Sequence, residues 1–256
     1  MSKTAIITLA GMSSRFSKSV GYECHKSLYR SNPDGECLLD WQLALIAKYG
    51  FDQIVLVGGY KYDELALYVR NRYEGWPITL VRNDHYSDLG SGYSLCLGVE
   101  AVSAETSAVL FMEGDLLFDE PTFKELASKS DNAITTTKTI VDARTSVAFY
   151  VSDSGRLRYV YDTKHETLTI PEAFLCIGNS GQVWQFFDAR KLKSIVNGLS
   201  AEQKSGTNLV PIVEYFKDVD AKKVRICQFD AWFNCNTIAD YRNMEKFVEE
   251  TRNGSN

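Results

Sequence analysis

The chain has 256 residues, 45% of them hydrophobic and 24% charged, which is the composition of an ordinary globular protein and excludes a disordered or fibrous one. Its formal net charge of −5 argues against a protein that coats nucleic acid, because phosphate-backbone binding shows as a clustered excess of Lys and Arg. A small, locally chelated phosphate ligand stays compatible with an acidic whole, and a chain of this size holds its own core without a disulfide or structural metal.

The first apolar run, Ala5 to Leu9, reads as a strand and is followed by a turn-rich segment. Cys37 to Tyr49 carries Leu38, Leu39, Trp41, Leu45 and Ile46 at helical spacing. Ile54 to Val57 is the second expected strand, Tyr62 to Tyr73 a helix, Ile78 to Val81 a third strand, Ser94 to Val102 a helix, and Ala108 to Met112 a central strand. This alternation predicts a parallel sheet crossed over by helices. From about Asn132 the pattern changes: Ile134 to Thr137 and Val147 to Val151 alternate around a Ser154-Gly155 turn, as half-exposed antiparallel strands do. Residues 132–180 are therefore expected to form an inserted β-hairpin region that caps a site. Gly181 to Leu199 and Asn208 to Phe216 read as helices, Val224 to Ile226 as a late strand, and Ile238 to Glu249 as the last helix. No repeat or linker interrupts the chain, so one domain over 1–252 is expected, followed by a frayed tail at 253–256.

Six cysteines, at 24, 37, 96, 176, 227 and 235, fall into no CxxC pair and no zinc-ligand spacing, and read as free thiols in a reducing compartment. The N-terminus lacks the long apolar region of a signal peptide, and no stretch approaches the ~20 apolar residues of a membrane span. A cytoplasmic protein with neither membrane nor nucleic-acid partner is expected. The sequence sets no oligomeric state, and a homodimer is compatible with it.

The segment Leu9-Ala10-Gly11-Met12-Ser13-Ser14-Arg15-Phe16 joins the first strand to the next element. Small residues at the carboxyl end of a parallel strand can aim several backbone N–H groups at one spot, and such a nest holds phosphate oxygens. Gly11 permits close approach, Arg15 adds a cationic fork, and Lys26 lies eleven residues further on. Asp115, preceded by Glu113, ends the central apolar run and should project at the carboxyl edge of the sheet, where open α/β sheets bind ligands. A carboxylate there can hold Mg²⁺ while phosphates complete its shell. Taken singly, Gly11 also reads as an ordinary turn, Arg15 as a solvated charge, and Gly114-Asp115 as a turn pair.

Leu9 to Phe16, followed by Gly21-Tyr22 and Lys26-Ser27-Leu28, resembles the signature L-A-G-x-x-S-R-F…G-Y…P-K-x-L of the nucleotidyltransferases related to sugar-phosphate nucleotidylyltransferases. The resemblance continues through Leu38 to Leu43, Val57 to Tyr60, Asn83, Ser91 to Leu95, Glu113 to Asp115 and Asn234 to Thr237. Within that family it is nearest to bacterial cytidylyltransferases acting on choline phosphate and on phosphonates. It implies a single-domain, Rossmann-like α/β fold with a mixed, mainly parallel sheet, and Mg²⁺-dependent transfer of CMP from CTP to a small phosphate or phosphonate, with release of pyrophosphate. Leu9, Ala10, Gly11, Met12, Ser13, Asn83, Ser91, Gly92, Ser94 and Glu113 would bind the nucleotide, the base lying against Leu9 to Gly11, Asn83, Ser91 and Ser94. Arg15 and the loop amides would hold the departing pyrophosphate and Lys26 the α-phosphate. Asp115 and Asn236 would hold the metal. Ser94 reads equally as a helix cap.

Two positions depart from the signature: Asn236 stands where many members carry Asp, and His25 where the pattern has Pro. The acceptor side is less legible. Lys138, Tyr150, Glu172 and Asn179 fall where the family binds its second substrate, yet each reads more readily as a surface or strand residue, and the fourteen tyrosines and four tryptophans are as well explained by the core as by an aromatic cage. Other readings stay open: a sugar-1-phosphate nucleotidyltransferase using UTP or GTP; a glycosyltransferase, which usually shows Asp-x-Asp where this chain has Glu113-Gly114-Asp115; and a non-catalytic nucleotide sensor, suggested by Asn236 and His25.

Overall fold

The computed structural model describes residues 2–162, 164 and 166–254. Strand β1 (Ser2–Leu9) leads into helices α1 (Ser14–Val20) and α2 (Leu38–Ala47), and then come β2 (Gln53–Gly58), α3 (Tyr62–Arg72), β3 (Ile78–Arg82), α4 (Ser91–Glu100) and β4 (Thr106–Glu113). A short β5 (Leu116–Phe118) and α5 (Glu120–Ser128) precede β6 (Asn132–Thr137), β7 (Ala148–Ser152), β8 (Leu157–Val160) and the long β9 (Phe174–Phe186). The chain closes with α6 (Ala189–Gly198), α7 (Ala201–Ser205), α8 (Leu209–Phe216), β10 (Val224–Gln228), β11 (Trp232–Asn234) and α9 (Ile238–Gly254).

The main sheet runs β10-β6-β9-β4-β1-β2-β3. β1 pairs in parallel with both β2 and β4, and β9 is antiparallel to β4 and β6. The chain builds β1, β2 and β3 outward on one side and then returns to lay β4 on the other, so β1 and β4 flank a switch point. The crevice beyond the carboxyl ends of those two strands is where such sheets bind ligands.

Helices cover both faces. Ala5, Ile7, Leu56 and Leu110 pack beneath Leu39, Leu43, Leu65 and Phe123, whereas Ile6, Val55 and Phe111 pack against Leu95, Val99, Leu192 and Ile212. Burial on both faces is why β1, β2 and β4 read as continuous apolar runs. A third cluster ties α9, through Tyr241 and Met244, to Phe16 of α1 and Trp41 of α2.

The fold is the single-domain α/β architecture expected, with differences in detail. Gly181 to Phe186 is strand rather than the start of a helix, and α6 begins only at Ala189, where Asp188 Oδ1 accepts from Lys191 N at 2.9 Å. Helices α1 and α5 occupy segments where none was expected. The β7–β8 hairpin does turn at Ser154-Gly155 and joins the sheet through β9, whereas β6 belongs to the buried central sheet. Helix α9 continues through Gly254, past the expected start of the tail, of which residues 255 and 256 lie outside the described residues.

Candidate active site

At the switch point lies a cleft of about 280 Å³. Its walls are the loop after β1 (Leu9, Ala10, Gly11, Ser13), the segment His25 to Ser27, the approach to α4 (Tyr86, Leu89, Gly90, Ser91, Ser94), and Glu113 to Asp115 at the end of β4. Four separately read stretches of sequence thus meet in one place.

The loop leaves backbone amides turned to no protein acceptor among the described residues. Ser13 takes a left-handed conformation, φ 55° and ψ 22°, which is uncommon for a residue with a Cβ. The amides of Gly11, Met12 and Ser13 donate to no protein group among the described residues. A Cβ at Gly11 would meet nothing within 4 Å, so that side of the loop faces open cleft. Ser13 Oγ accepts from Lys26 N at 3.2 Å and the ring of His25 reaches back to the Leu9 carbonyl, also at 3.2 Å, so the segment carrying Lys26 is fastened to the loop. A carbonyl only accepts, so Nε2 of His25 carries the proton. His25 is buried; burial, only partly offset by the Leu9 carbonyl, lowers its pKa to about 4 and keeps the ring neutral.

Across the cleft, Gly114 N donates to Thr8 O at 2.9 Å, and a Cβ at Gly114 would lie 2.3 Å from Leu9 Cδ2. Only glycine lets the end of β4 lie this close to β1. Lys26 Nζ bridges the two walls, 2.8 Å from Asp115 Oδ2 and 3.1 Å from the carbonyl of Cys235. The other carboxylate oxygen, Asp115 Oδ1, is buried without a hydrogen-bond partner. A buried carboxylate oxygen left unsatisfied is costly, and a hard cation is one group able to satisfy it.

Asn236 follows Cys235, whose N–H donates to the Asp115 carbonyl at 2.7 Å. Its amide nitrogen donates to Asn234 Oδ1 at 2.7 Å, which leaves the amide oxygen as the free end. Asp115 and Asn236 are thereby brought onto adjoining segments with oxygen donors to spare. Two protein oxygens completed by substrate phosphates suit Mg²⁺. Among the described residues no group of three or more His, Cys, Asp and Glu forms an all-protein metal cage.

Glu113 accepts from Asn208 Nδ2 at 2.5 Å. Burial first, and then the neighbouring Asp115 carboxylate, push its pKa up to about 7 against the Asn208 bond and Lys26. Helix α4 starts at this wall. Gly90 N and Gly92 N donate to the carbonyls of Ser205 and Gly206 at 2.8 and 2.9 Å, and Ser91 Oγ accepts from Asn208 N at 3.0 Å. Asn83 is buried behind Ser94: it accepts from His85 N at 2.9 Å and donates to Ser94 Oγ at 2.9 Å. The Ser94 oxygen is thus an acceptor within the protein, and its own hydroxyl proton is free to donate.

Of the expected residues, Leu9, Ala10, Gly11, Ser13, Lys26, Ser91, Ser94, Glu113 and Asp115 line the cleft. Asn83 and Gly92 stand behind it, Asn236 lies beside Asp115, and Met12 is half exposed. Arg15 is exposed on the first turn of α1 and makes no ion pair or hydrogen bond among the described residues. Lys138, Tyr150, Glu172 and Asn179 do not line it: Lys138 pairs with Asp230 at 2.6 Å, Tyr150 donates to Glu172 at 3.0 Å, and Asn179 donates to Thr139 at 2.6 Å. Sequence reasoning missed Asn208, Tyr86, Leu89 and the positive part played by His25.

A family model described as a domain of unknown function (DUF6564) matches residues 22–248. No curated protein matches the chain. Among solved structures, the inositol-1-phosphate CTP transferase from T. maritima is similar with a TM-score of 0.67 at 20% identity, covering 96% of each chain. The CTP:phosphocholine cytidylyltransferase from Streptococcus pneumoniae gives a TM-score of 0.59 at 18% identity, over 97% of this chain and 100% of that one. A candidate glucose-1-phosphate thymidylyltransferase from Bacillus anthracis gives 0.67 at 13% identity, over 96% and 95%. The fold is therefore that of the nucleotidyltransferases. No helix among the described residues is long and apolar enough to cross a membrane.

Proposed function

The chain belongs to the DUF6564 family, and from that premise and the geometry of its cleft we propose that it transfers a nucleoside monophosphate, CMP, from the triphosphate to a small phosphate or phosphonate, releasing pyrophosphate. One observation carries this reading: the free amides of the Gly11 to Ser13 loop, the Lys26 ammonium and the half-satisfied Asp115 carboxylate face a common cleft at the sheet's switch point. CTP as donor is supported by the two CTP-using enzymes among the structural neighbours.

Each group has a task in this reaction. The loop amides would bind phosphate oxygens, and Leu9, Ala10 and Ser94 would receive the base, Ser94 offering a hydroxyl proton on the side away from Asn83. Asp115 and Asn236 would hold Mg²⁺, which when bound neutralises triphosphate charge. Lys26, 2.8 Å from Asp115, would serve the α-phosphate. The pair compensates both charges. An acceptor oxygen attacking the α-phosphorus in line needs no covalent protein intermediate, so these residues work by positioning and by offsetting charge.

The test is incubation with each of the four NTPs, Mg²⁺ and a panel of small phosphates and phosphonates, following pyrophosphate. CTP should release it with at least one acceptor, and Asp115→Ala should lower the rate by roughly 10²-fold or more. Undiminished turnover by Asp115→Ala would refute the assignment, and transfer from an intact sugar nucleotide without pyrophosphate would favour a glycosyltransferase.

A further inference from the structure

Glu113 and Asp115 both line the cleft, but their neighbours differ. Asp115 lies beside Lys26 and the Cys235-Asn236 segment. Glu113, the last residue of β4 and the partner of Thr8 across the sheet, belongs instead to the wall made by α4 and α8. Its Oε1 accepts from Asn208 Nδ2 at 2.5 Å, and the Asn208 amide donates to Ser91 Oγ at 3.0 Å. Asn208 is itself buried, so the carboxyl group is held in one orientation. Glu113 is half-buried, and its second oxygen, Oε2, has no protein partner among the described residues. A fixed acceptor is thus offered to whatever enters the cleft.

Its place in the cleft indicates what it would accept from. In the proposed reaction the phosphates lie against the Gly11 to Ser13 amides, Lys26 and Asp115, and the base against Leu9, Ala10 and Ser94. Glu113 lies between these groups, two residues before Asp115 and joined through Asn208 to Ser91, one helical turn before Ser94. The part of a nucleotide that spans phosphates and base is the ribose, whose hydroxyls are donors. A carboxyl group can bond a hydroxyl in either protonation state, and an acidic residue is a recurrent partner of ribose hydroxyls in nucleotide-binding α/β sheets. Toward phosphate oxygens a carboxylate would be repulsive. Among the described residues no third His, Cys, Asp or Glu joins Glu113 and Asp115 in a metal cage. We propose that Glu113, positioned by Asn208, reads a ribose hydroxyl of the nucleotide, so that the chain selects a ribonucleoside triphosphate over its deoxy form. This rests on the nucleotidyltransferase reading and names, within it, the part of the donor that Glu113 contacts.

Calorimetry with the full chain and Mg²⁺ tests this, comparing the most tightly bound of the four NTPs, expected to be CTP, with its 2′-deoxy and 3′-deoxy forms. The wild type should bind at least one deoxy form roughly ten- to a hundredfold more weakly, as the loss of a hydrogen bond to a charged group does, and the form that weakens identifies the hydroxyl. Glu113→Ala should bring that ratio to within about threefold of one, by losing affinity for the ribonucleotide and little for the deoxy form. Glu113→Gln, which keeps an oxygen in place, and Asn208→Ala, which frees the carboxyl group to move, should each lower the ratio partway; these two carry the test if circular dichroism shows Glu113→Ala unfolded. Equal binding of all three forms by the wild type, a ratio that the variants leave unchanged, or an equal loss on every form, as removal of a metal ligand would give, overturns the proposal and leaves nucleotide binding standing. Failure of the wild type to bind any NTP overturns the nucleotidyltransferase reading and this inference with it.

Discussion

Replacing His25 with Pro, the residue of the nucleotidyltransferase signature, is a quantitative probe of how the cleft is held. The imidazole is 3% exposed, with Nε2 on the Leu9 carbonyl and Nδ1 without a partner. Burial is the largest influence on its pKa, the Leu9 carbonyl and Glu64 oppose it, Lys26 and Lys61 add to it, and the result falls from 6.5 to about 4. Between these values the unfolded chain holds a proton that the folded chain does not, so stability is complete above pH 6.5 and declines as the pH falls toward 4. The gap between 6.5 and about 4, at about 1.4 kcal/mol per pH unit, amounts to about 3 kcal/mol. Proline fits the backbone at this position, where φ is −81°. It removes the Leu9 hydrogen bond and leaves a small void, a loss of roughly 1–3 kcal/mol at pH 7.5. Urea unfolding of both proteins from pH 7.5 to 4.5, with EDTA present, gives the difference between them. That difference should be largest at pH 7.5 and fall by roughly 2.5 kcal/mol by pH 4.5, reversing sign where it starts below that figure, because only the wild type carries the titration. Glu113, whose raised pKa gives an opposite slope as its carboxylate ionises, is common to both and cancels. A difference that stays constant with pH would show that His25 is not held neutral in the folded protein.

Gly11→Ala should leave the melting temperature unchanged, since its Cβ meets nothing within 4 Å, yet raise KM for the triphosphate roughly tenfold if phosphate oxygens approach the loop backbone; an unchanged KM removes the loop from the site. Gly114→Ala should do the reverse in a melt, lowering stability by roughly 1–3 kcal/mol, because its Cβ would lie 2.3 Å from Leu9 Cδ2 and 2.7 Å from Thr8 O. Asp40→Asn should cost about 3 kcal/mol in urea unfolding: burial works against this carboxylate, but Tyr68, Tyr73 and the Cys37 amide donate to it, Arg72 sits at 3.2 Å, and its pKa ends below the usual carboxylate range. That contribution is present at neutral pH and lost as the pH falls through the depressed value, so the two proteins should converge in strong acid.

Much of the fold was legible because β1, β2 and β4 are buried on both faces and β3 lies beside them, giving short apolar runs between amphipathic helices. Strand β9 shows where that legibility ends. Its second half is almost wholly buried, so alternation is absent, and apolar positions without alternation fit a helix equally well. Gln182, at φ 56°, sits where the register against β6 shifts, and there the strand passes from its pairing with β7 into the central sheet. A bulge of this kind has no sequence mark when its residue is Gln and not Gly. The true start of α6 did have one, Asp188 capping at the Lys191 amide.

The site divides along the same line. Gly11, Lys26 and Asp115 were readable because each belongs to a short segment at a strand end whose composition already speaks of phosphate or metal, and the sheet order then brings those ends together. Asn208 had no such mark. It lies 95 residues from Glu113, at the start of α8, and becomes part of the cleft only because α7 and α8 are clamped onto the start of α4 by Gly90, Ser91 and Gly92. Gly92 is read differently for the same reason: a Cβ there would lie 2.7 Å from the Thr207 carbonyl, so the glycine admits the loop between α7 and α8. In a cleft assembled from chain segments this far apart, residues that touch the substrate can be guessed from local chemistry. The residues that hold them in place are fixed by packing that no single segment contains.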